Sequence, residues 1–198
     1  GAQRNRVGTN GDGVADANER NIIAGNRKFH GVVIVDRGTN FNVVAGNFIG
    51  TDVSGTRVLD NANSGVAIAN GAQSNRVGTD ADGLADSEER NVISGNQHFG
   101  VAIFGEAAND NVVAGNFIGT DVSGARILAN GFDGVLIQTG AAGNVIGGRT
   151  TAARNIISGN DNGVRLTGPG VFGNRIEGNF IGTDLTGTID LGNSINGV

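Results

Sequence analysis

Residues 42–55 read NVVAGNFIGTDVSG, and the same fourteen letters recur without change at residues 111–124. A third version, NRIEGNFIGTDLTG, occupies residues 174–187. A segment that repeats within one chain is typical of repeat architectures, in which each unit buries its apolar face against its neighbours. The length and the residue pattern of the repeat therefore indicate how the chain is organised.

Two shorter motifs set the repeat length. Asn-x-(Val/Ile) occurs at Asn5, Asn21, Asn42, Asn75, Asn91, Asn111, Asn144, Asn155 and Asn174. Gly-Val-x-(Ile/Leu) begins at Gly31, Gly65, Gly100, Gly134 and Gly163, and Gly197 with Val198 starts a sixth copy. These glycines are 34, 35, 34, 29 and 34 residues apart. A unit of this size has room for three short strands and their turns.

The apolar runs within each unit predict strands. They are short, rich in Val and Ile, alternate in and out, and are separated by Gly and Asn. A Gly or Asn every few residues is unfavourable for a helix. Short strands at constant spacing stack best as parallel, in-register ladders. We therefore predict an all-β fold, a parallel β-helix (solenoid) of about six coils with three strands per coil, forming one domain over residues 1–198.

Repeated Gly-Asn pairs support this interpretation, because a strand that turns sharply needs residues that tolerate a positive φ. Asparagines stacked at one height in successive coils can also hydrogen-bond along the axis. Surface turns without such a ladder are the alternative. The pairs are Gly25-Asn26, Gly46-Asn47, Gly95-Asn96, Gly115-Asn116, Gly159-Asn160 and Gly178-Asn179.

The phrase RNxISGN…GVxI…NxVxGNxIGTDxxG resembles the right-handed parallel β-helix repeats of the pectate-lyase-like superfamily. It is most similar to the Gly/Asn-rich versions in large secreted or surface-attached bacterial proteins. The resemblance covers essentially the whole chain. It implies the fold, a right-handed coil and an extracellular or cell-surface location. It does not imply one activity, since this superfamily includes lyases, hydrolases, epimerases, adhesins and inert scaffolds.

Composition excludes several classes of protein. The 198 residues include 36 Gly and 26 Asn but no Cys, which excludes a disulfide framework and a cysteine zinc site. A net charge of −5 is unfavourable for contact with nucleic-acid phosphates. No apolar run approaches the roughly 18 residues of a membrane helix. We expect neither nucleic-acid binding nor membrane insertion, and we expect the chain to be a segment of a larger protein.

Two acidic insertions, residues 8–19 and 78–89, fit a twelve-residue calcium loop from its third position onward. The pattern supplies carboxylate, amide and carbonyl oxygens that converge on one point, as a hard cation requires. The predicted ligands are Asn10, Asp12, the Val14 carbonyl, Asp16 and Glu19 in the first loop, and Asp80, Asp82, the Leu84 carbonyl, Asp86 and Glu89 in the second.

The same loops resemble those of dockerins and thrombospondin type 3 repeats, but Gly8 and Gly78 replace the usual Asp at position 1. The lost ligand predicts weak calcium sites, on the order of 10⁻⁴–10⁻³ M. The alternative is a solvated acidic loop held by Asx-turns. The third copy, residues 147–154, has no acidic residue and should bind no metal.

Other polar motifs are interpreted structurally. Asp52, Asp121 and Asp184 each precede a Gly by three residues, which is typical of a type I turn. The outer face of the Gly-Val-x-Ile strands is mostly apolar and shows no Asp-plus-Arg cluster, so it resembles a packing surface. His30 and His98 fall in turns at non-equivalent repeat positions. Phe48, Phe117 and Phe180 share one position and predict a stacked aromatic column.

Three functions fit these observations. The first is a structural or adhesin-type module, stabilised by calcium and without catalytic activity of its own. The second is a carbohydrate-active enzyme, a polysaccharide lyase or epimerase, with Asp36, Glu106 and Arg165 as its best candidate residues. The third is a unit that self-assembles end to end through unpaired strand edges. The expected partners are other copies of the chain or a cell-surface polysaccharide.

Overall fold

The computed structural model describes residues 1–198, and its regular structure is almost entirely short β-strands. The one exception is a single 3₁₀ turn at Asp16–Glu19. The strands are β1 Arg6–Gly8, β2 Ile22–Ile23, β3 Val32–Val35, β4 Val43–Ala45, β5 Phe48–Ile49, β6 Val66–Ala69, β7 Arg76–Gly78, β8 Val92–Ile93, β9 Val101–Phe104, β10 Val112–Ala114, β11 Phe117–Ile118, β12 Val135–Gln138, β13 Val145–Gly147, β14 Ile156–Ile157, β15 Val164–Thr167, β16 Arg175–Glu177 and β17 Phe180–Ile181.

Every third strand joins the same parallel sheet. Sheet A has the order β1-β4-β7-β10-β13-β16, sheet B the order β2-β5-β8-β11-β14-β17, and sheet C the order β3-β6-β9-β12-β15. One strand from each sheet makes one coil, so the chain winds through about six coils. The predicted parallel β-helix is therefore confirmed.

The glycines that open the Gly-Val-x-Ile motif form a column at the entrance to sheet C. The backbone N–H of the following Val donates to the carbonyl of the next glycine along the axis. These bonds join Val32 to Gly65, Val66 to Gly100, Val101 to Gly134, Val135 to Gly163 and Val164 to Gly197, at 2.9–3.0 Å. The sequence register of the repeat is thus the hydrogen-bonding register of the coils.

The core is a stack of aliphatic layers enclosed by the three sheets. A coil contributes one inward residue from sheet A, one from sheet B and two from sheet C, such as Val77, Ile93, Val101 and Ile103 in the third coil, all with no exposed surface. Identical residue types recur at the same height in neighbouring coils. The apolar surface is therefore removed from water along the whole axis, which is the main stabilising contribution.

Asparagine side chains form three continuous hydrogen-bonded ladders along the axis, with six members each. The first ladder comprises Asn5, Asn42, Asn75, Asn111, Asn144 and Asn174. The second comprises Asn21, Asn47, Asn91, Asn116, Asn155 and Asn179. The third comprises Asn26, Asn61, Asn96, Asn130, Asn160 and Asn193, its last step being a backbone N–H to a side-chain oxygen.

The predicted hydrogen bonding of asparagines along the axis is confirmed, but the Gly-Asn and Asn-x-(Val/Ile) motifs are each divided between two ladders. Gly-Asn pairs do not form one column: Asn47 belongs to the second ladder, whereas Asn96 belongs to the third. The Asn-x-(Val/Ile) motifs also serve two sheets, because Asn5 precedes β1 of sheet A and Asn21 precedes β2 of sheet B. The same local sequence therefore makes two different corners of the coil.

This difference arises because the coils are of two alternating kinds. In the first, third and fifth coils a long loop joins sheet A to sheet B, as between β7 and β8. In the second and fourth coils those strands are separated by two residues, and the long loop instead joins sheet B to sheet C, as between β11 and β12. The full structural repeat is therefore two coils, and each acidic loop lies two coils from the next equivalent loop.

The outer face of sheet B carries an apolar column that is only partly aromatic. Phe48 pairs with Val92, Val92 with Phe117, and Phe117 with Ile156. The rings are thus separated by aliphatic residues, which corrects the predicted aromatic stack. Each Phe is covered by an arginine guanidinium at 4.0–4.4 Å from its ring centroid, and the three pairs are Arg20 with Phe48, Arg90 with Phe117 and Arg154 with Phe180.

No helix in the structure is long and apolar enough to cross a membrane.

Candidate functional site

The two acidic loops lie on one side of the solenoid, where the chain leaves sheet A in the first and third coils. Each begins at the last residue of a sheet A strand, Gly8 in β1 and Gly78 in β7. The loops are two coils apart, which corresponds to about 9.6 Å. The two loops also pack closely, since Glu89 of the second loop lies against Gly11 of the first. A Cβ added to Gly11 would be 2.5 Å from the Glu89 Oε1 atom.

The first loop is closed by hydrogen bonds to its own acidic side chains. The Thr9 hydroxyl donates to Asp16 at 2.5 Å, and the Asn10 backbone N–H donates to Glu19 at 2.7 Å. Asp12 accepts the backbone N–H of Val14 at 2.8 Å and the Asn10 side-chain amide at 3.0 Å. Asx-type bonds of this kind are what the alternative interpretation of the loop requires.

The second loop repeats this pattern and adds a cluster of three carboxylates. The Thr79 hydroxyl donates to Asp86 at 2.6 Å, and the Asp80 backbone N–H donates to Glu89 at 3.0 Å. One carboxylate oxygen from each of Asp80, Asp86 and Glu89 lies within 4.8 Å of the others. The structure therefore brings together three of the five predicted ligands of this loop.

Asp82 is not part of that cluster, and Leu84 would contribute only its backbone carbonyl. A side-chain oxygen of Asp82 accepts the backbone N–H of Leu84 at 2.8 Å, which holds the tip of the loop. Both residues lie at the solvent-exposed end of the loop. The oxygen-only donor set of Asp80, Asp86 and Glu89 suits a hard divalent cation.

Two arginines on the outer face of sheet A approach the same carboxylates. Arg76 Nη1 lies 2.7 Å from Asp80, and Arg76 Nη2 lies 3.7 Å from Glu89. Arg6 Nη1 lies 3.6 Å from the same Glu89 oxygen. Burial alone would raise the pKa of Asp80, but the hydrogen bond and the charge of Arg76 outweigh it and hold that pKa below its usual value.

The Gly-Thr-Asp motifs form the turns that the sequence predicts. The backbone N–H of Gly55 donates to the Asp52 carbonyl at 2.9 Å, and Gly124 and Gly187 make the equivalent bonds to Asp121 and Asp184. In the first turn a hydrogen bond from Ser54 is the main cause of a lowered Asp52 pKa. These carboxylates are therefore used to hold their own turns.

The outer face of sheet C forms a shallow groove rather than a flat apolar surface. Ala67, Ala102 and Leu136 point outward, yet each is at most 5% exposed. A cavity of about 210 Å³ lies over this floor, with Phe99 and Phe104 among its walls. The outer face of sheet C, which the sequence predicts to be a packing surface, is therefore concave at this point.

An Asp–Arg pair lies beside this groove, although no such cluster is predicted among the strand residues themselves, and Arg165 pairs with Leu136 of the groove floor. Asp133, which lies two residues before β12, is 2% exposed, and its Oδ2 lies 4.0 Å from Arg165 Nη1. Its Oδ1 accepts the Asn162 side-chain amide at 2.6 Å, whereas Oδ2 has no hydrogen-bond partner. A signal was present in the sequence: Asp133 immediately precedes a motif glycine.

The three residues predicted for a carbohydrate-active enzyme are not brought together. Asp36 follows β3 in the first coil, Glu106 follows β9 in the third, and Arg165 lies within β15 in the fifth. Because β3 and β15 are at opposite edges of sheet C, Asp36 and Arg165 are separated by four strand spacings, about 19 Å. They do not form one catalytic cluster.

The two histidines lie beside the groove on sheet C. His30 Nδ1 accepts the backbone N–H of Ser64 in the next coil at 3.2 Å, so His30 caps the turn that precedes β6. Burial, and secondarily the charge of His98, lower the pKa of His30 below its usual value. The His98 ring packs edge-on against Phe99 and Phe132, with centroids 6.1 and 5.3 Å away.

Comparison with models of known protein families gives no match for this chain, and comparisons with curated proteins and with solved structures give none either. The fold is therefore established from the chain's own repeat and hydrogen bonding, and its function has to be argued from the same residues.

Proposed function

We propose that this chain is a rigid, rod-like structural module of an extracellular or cell-surface protein, related to the Gly/Asn-rich right-handed β-helices of the pectate-lyase-like superfamily. The observation that carries the proposal is the unbroken set of three asparagine ladders, which spans all six coils. Such ladders and the aliphatic core link every coil to the next. They favour an extended scaffold of fixed length.

The proposed module is stabilised by calcium bound at the acidic loops. The carboxylates of Asp80, Asp86 and Glu89 converge within 4.8 Å, and the first loop places Asp16 and Glu19 in equivalent positions. A bound cation would offset repulsion among these carboxylates and fasten the loops to sheet A. It would stabilise only the folded state, since the unfolded loops have no preformed site.

Calcium titration of the whole chain tests this function. We expect binding heat with a dissociation constant on the order of 10⁻⁴–10⁻³ M. At 10 mM calcium, linkage predicts about 1.4–2.7 kcal/mol of added stability for each occupied loop, and hence a rise of several degrees in Tm over the value in chelator. Asp86→Asn should weaken the binding, whereas Asp36→Asn, an acidic residue outside both loops, should not. Absence of heat at millimolar calcium would remove calcium from the proposal.

A carbohydrate-active function is the second candidate, and the groove on sheet C favours it. Asp133 is a buried carboxylate paired with the Arg165 guanidinium, and Arg165 pairs in register with Leu136 on the floor of the cavity. Incubation with acidic polysaccharides, followed by absorbance of unsaturated products, tests a lyase. Product formation that is lost in Asp133→Asn would favour the enzyme over the scaffold.

Sedimentation velocity separates both functions from the third, self-assembly end to end. A scaffold segment of this kind should sediment as a monomer at all concentrations tested. A concentration-dependent series of longer species would instead support head-to-tail stacking.

A further inference from the structure

Arg76 is a cation whose side chain contacts the acidic loop that follows it in the chain. It opens β7 on the outer face of sheet A, four residues before Asp80. Only 19% of its side chain is exposed, and its Nε has no hydrogen-bond partner. Burial of a guanidinium is unfavourable unless carboxylates compensate it, so the position of Arg76 depends on the loop.

Arg76 contacts two of the three carboxylates in the cluster. Its Nη1 is at hydrogen-bonding distance from Asp80, and its Nη2 faces Glu89, whose side chain is only 3% exposed. The Glu89 oxygen that faces Arg76 also faces Arg6 of the first coil at 3.6 Å. A nearly inaccessible carboxylate thus has two guanidinium groups as counter-charges, and one of them comes from β7, the strand that leads into its own loop.

The first loop lacks this arrangement although seven of its twelve residues are the same. Arg6 is the equivalent of Arg76, but its Nη1 donates to the Thr9 carbonyl at 2.7 Å and its ion pair is with Glu89 of the other loop. Asn10 replaces Asp80, so the first loop offers Arg6 no carboxylate at that position. The charge of Asp16 and Glu19 is therefore not offset by a tethered arginine.

We propose that Arg76 is the internal counter-cation of the second acidic loop. Its positive charge neutralises carboxylates that a divalent cation would otherwise neutralise, and so it lowers the affinity of this loop for calcium. The second loop is then folded without added metal, whereas the first loop remains the more responsive one. The calcium part of this inference rests on the proposed function, but the counter-cation role does not.

Calcium titration of Arg76→Gln, without other changes, is the first test. Removing one full positive charge next to the carboxylates should tighten calcium binding about tenfold, the change expected when one partly buried ion pair no longer competes. Arg175→Gln is the matched control, because Arg175 occupies the same register on sheet A but is 65% exposed and lies 3.9 Å from Glu177. Equal affinities of wild type and Arg76→Gln would overturn the inference.

Thermal unfolding in chelator provides a second readout that does not need calcium to bind. Arg76→Gln should lower the Tm by several degrees, because Asp80 and Glu89 lose their counter-charge. The double variant Arg76→Gln/Asp80→Asn should recover much of this loss, since it removes the carboxylate that was left unpaired. If no variant binds calcium but this rescue occurs, the calcium part of the proposed function fails and the counter-cation role stands. No rescue would overturn the role.

Discussion

The side-chain amide of Asn96 donates to the side-chain oxygen of Asn130 at 2.9 Å, and both side chains are almost fully excluded from solvent. Asn96 also donates to the backbone carbonyl of Ile49 and accepts the side-chain amide of Asn61. A buried amide without such partners would be strongly destabilising. Each ladder asparagine therefore stabilises the coil above it and the coil below it at once.

Replacement of Asn96 by Ala should consequently be among the more damaging single changes. It removes three side-chain hydrogen bonds, those with Ile49, Asn61 and Asn130. The Ile49 carbonyl keeps the Ser94 N–H, and the Asn61 amide keeps the Ile23 carbonyl. At about 1 kcal/mol for each lost hydrogen bond, we expect a loss of about 3 kcal/mol, or roughly 6–12 °C in Tm for a chain of this size. Unfolding in guanidinium chloride measures this change in the free energy of unfolding. Asn18→Ala, at an exposed position outside the ladders, is the control and should stay within 0.5 kcal/mol of wild type, about the usual limit for surface changes.

Gly78 is required by close packing as well as by its backbone conformation. Its φ is +101°, and a Cβ built there would lie 1.8 Å from the Ala114 carbonyl of the next coil. Gly25 has a φ of +74° but nothing within 4 Å of such a Cβ. Gly25→Ala should cost about 1–2 kcal/mol from the left-handed backbone alone, and Gly78→Ala should cost several kcal/mol more, because backbone has to move. Similar Tm values for the two variants would contradict this account.

The arginines over the apolar column of sheet B should contribute to stability through both charge and packing. The Arg90 guanidinium lies 4.4 Å from the Phe117 centroid, and its Nε donates to the Gly115 carbonyl at 2.9 Å. We expect Arg90→Ala to destabilise the protein by about 1–2 kcal/mol, from the cation–π contact and the hydrogen bond together. Arg149→Ala, at an exposed loop position, is the control for loss of a positive charge. Calorimetry of the two variants at equal ionic strength measures the difference.

The fold could be predicted from the sequence because the repeat fixes three things at once. The spacing of Gly31 and Gly65 sets the length of a coil, the Val and Ile residues between the glycines set the inward face, and Gly or Asn marks the corners. Each of these is a local property that repeats. Parallel, in-register stacking is the arrangement that satisfies all of them in every coil.

The alternation of two kinds of coil and the Asp133–Arg165 pair could not be predicted in the same way. Asn5 and Asn21 sit in similar local motifs, and only the lengths of the connecting loops assign them to different sheets. Asp133 and Arg165 are 32 positions apart in the chain. The column of motif glycines places them in neighbouring coils, but their contact also depends on the side-chain directions at the entrance to sheet C, which that pattern does not encode.

The contacts of Arg76 with Asp80 and Glu89 could not be predicted for a similar reason. The calcium-loop pattern starts at residue 78, so a search for ligands within the loop ignores the strand before it. Arg76 becomes relevant only when its side chain is known to lie along the outer face of sheet A, above Asp80 and Glu89. A ligand pattern in the sequence thus identifies the oxygen atoms that can bind a metal ion. It does not identify the arginines that pair with the same carboxylates.

His30 gives the solenoid a dependence on pH near neutrality. Its Nδ1 has to be unprotonated to accept the Ser64 N–H, and burial and His98 lower its pKa in the folded state. A group whose pKa is lower when folded stabilises the protein above its unfolded pKa of about 6.5, and that contribution is lost as the pH falls through the folded value. Wild type should therefore lose more stability than His30→Phe between pH 7.5 and pH 5.

Phenylalanine is the appropriate replacement, because Phe99 occupies the same place relative to its motif glycine in the third coil. Denaturant unfolding at the two pH values gives the comparison for wild type and His30→Phe. His98→Phe serves as an intermediate case: it keeps His30 but removes the neighbouring charge, so its pH dependence should lie between those of the other two proteins. Identical pH dependence in all three would show that His30 titrates as it does in the unfolded chain.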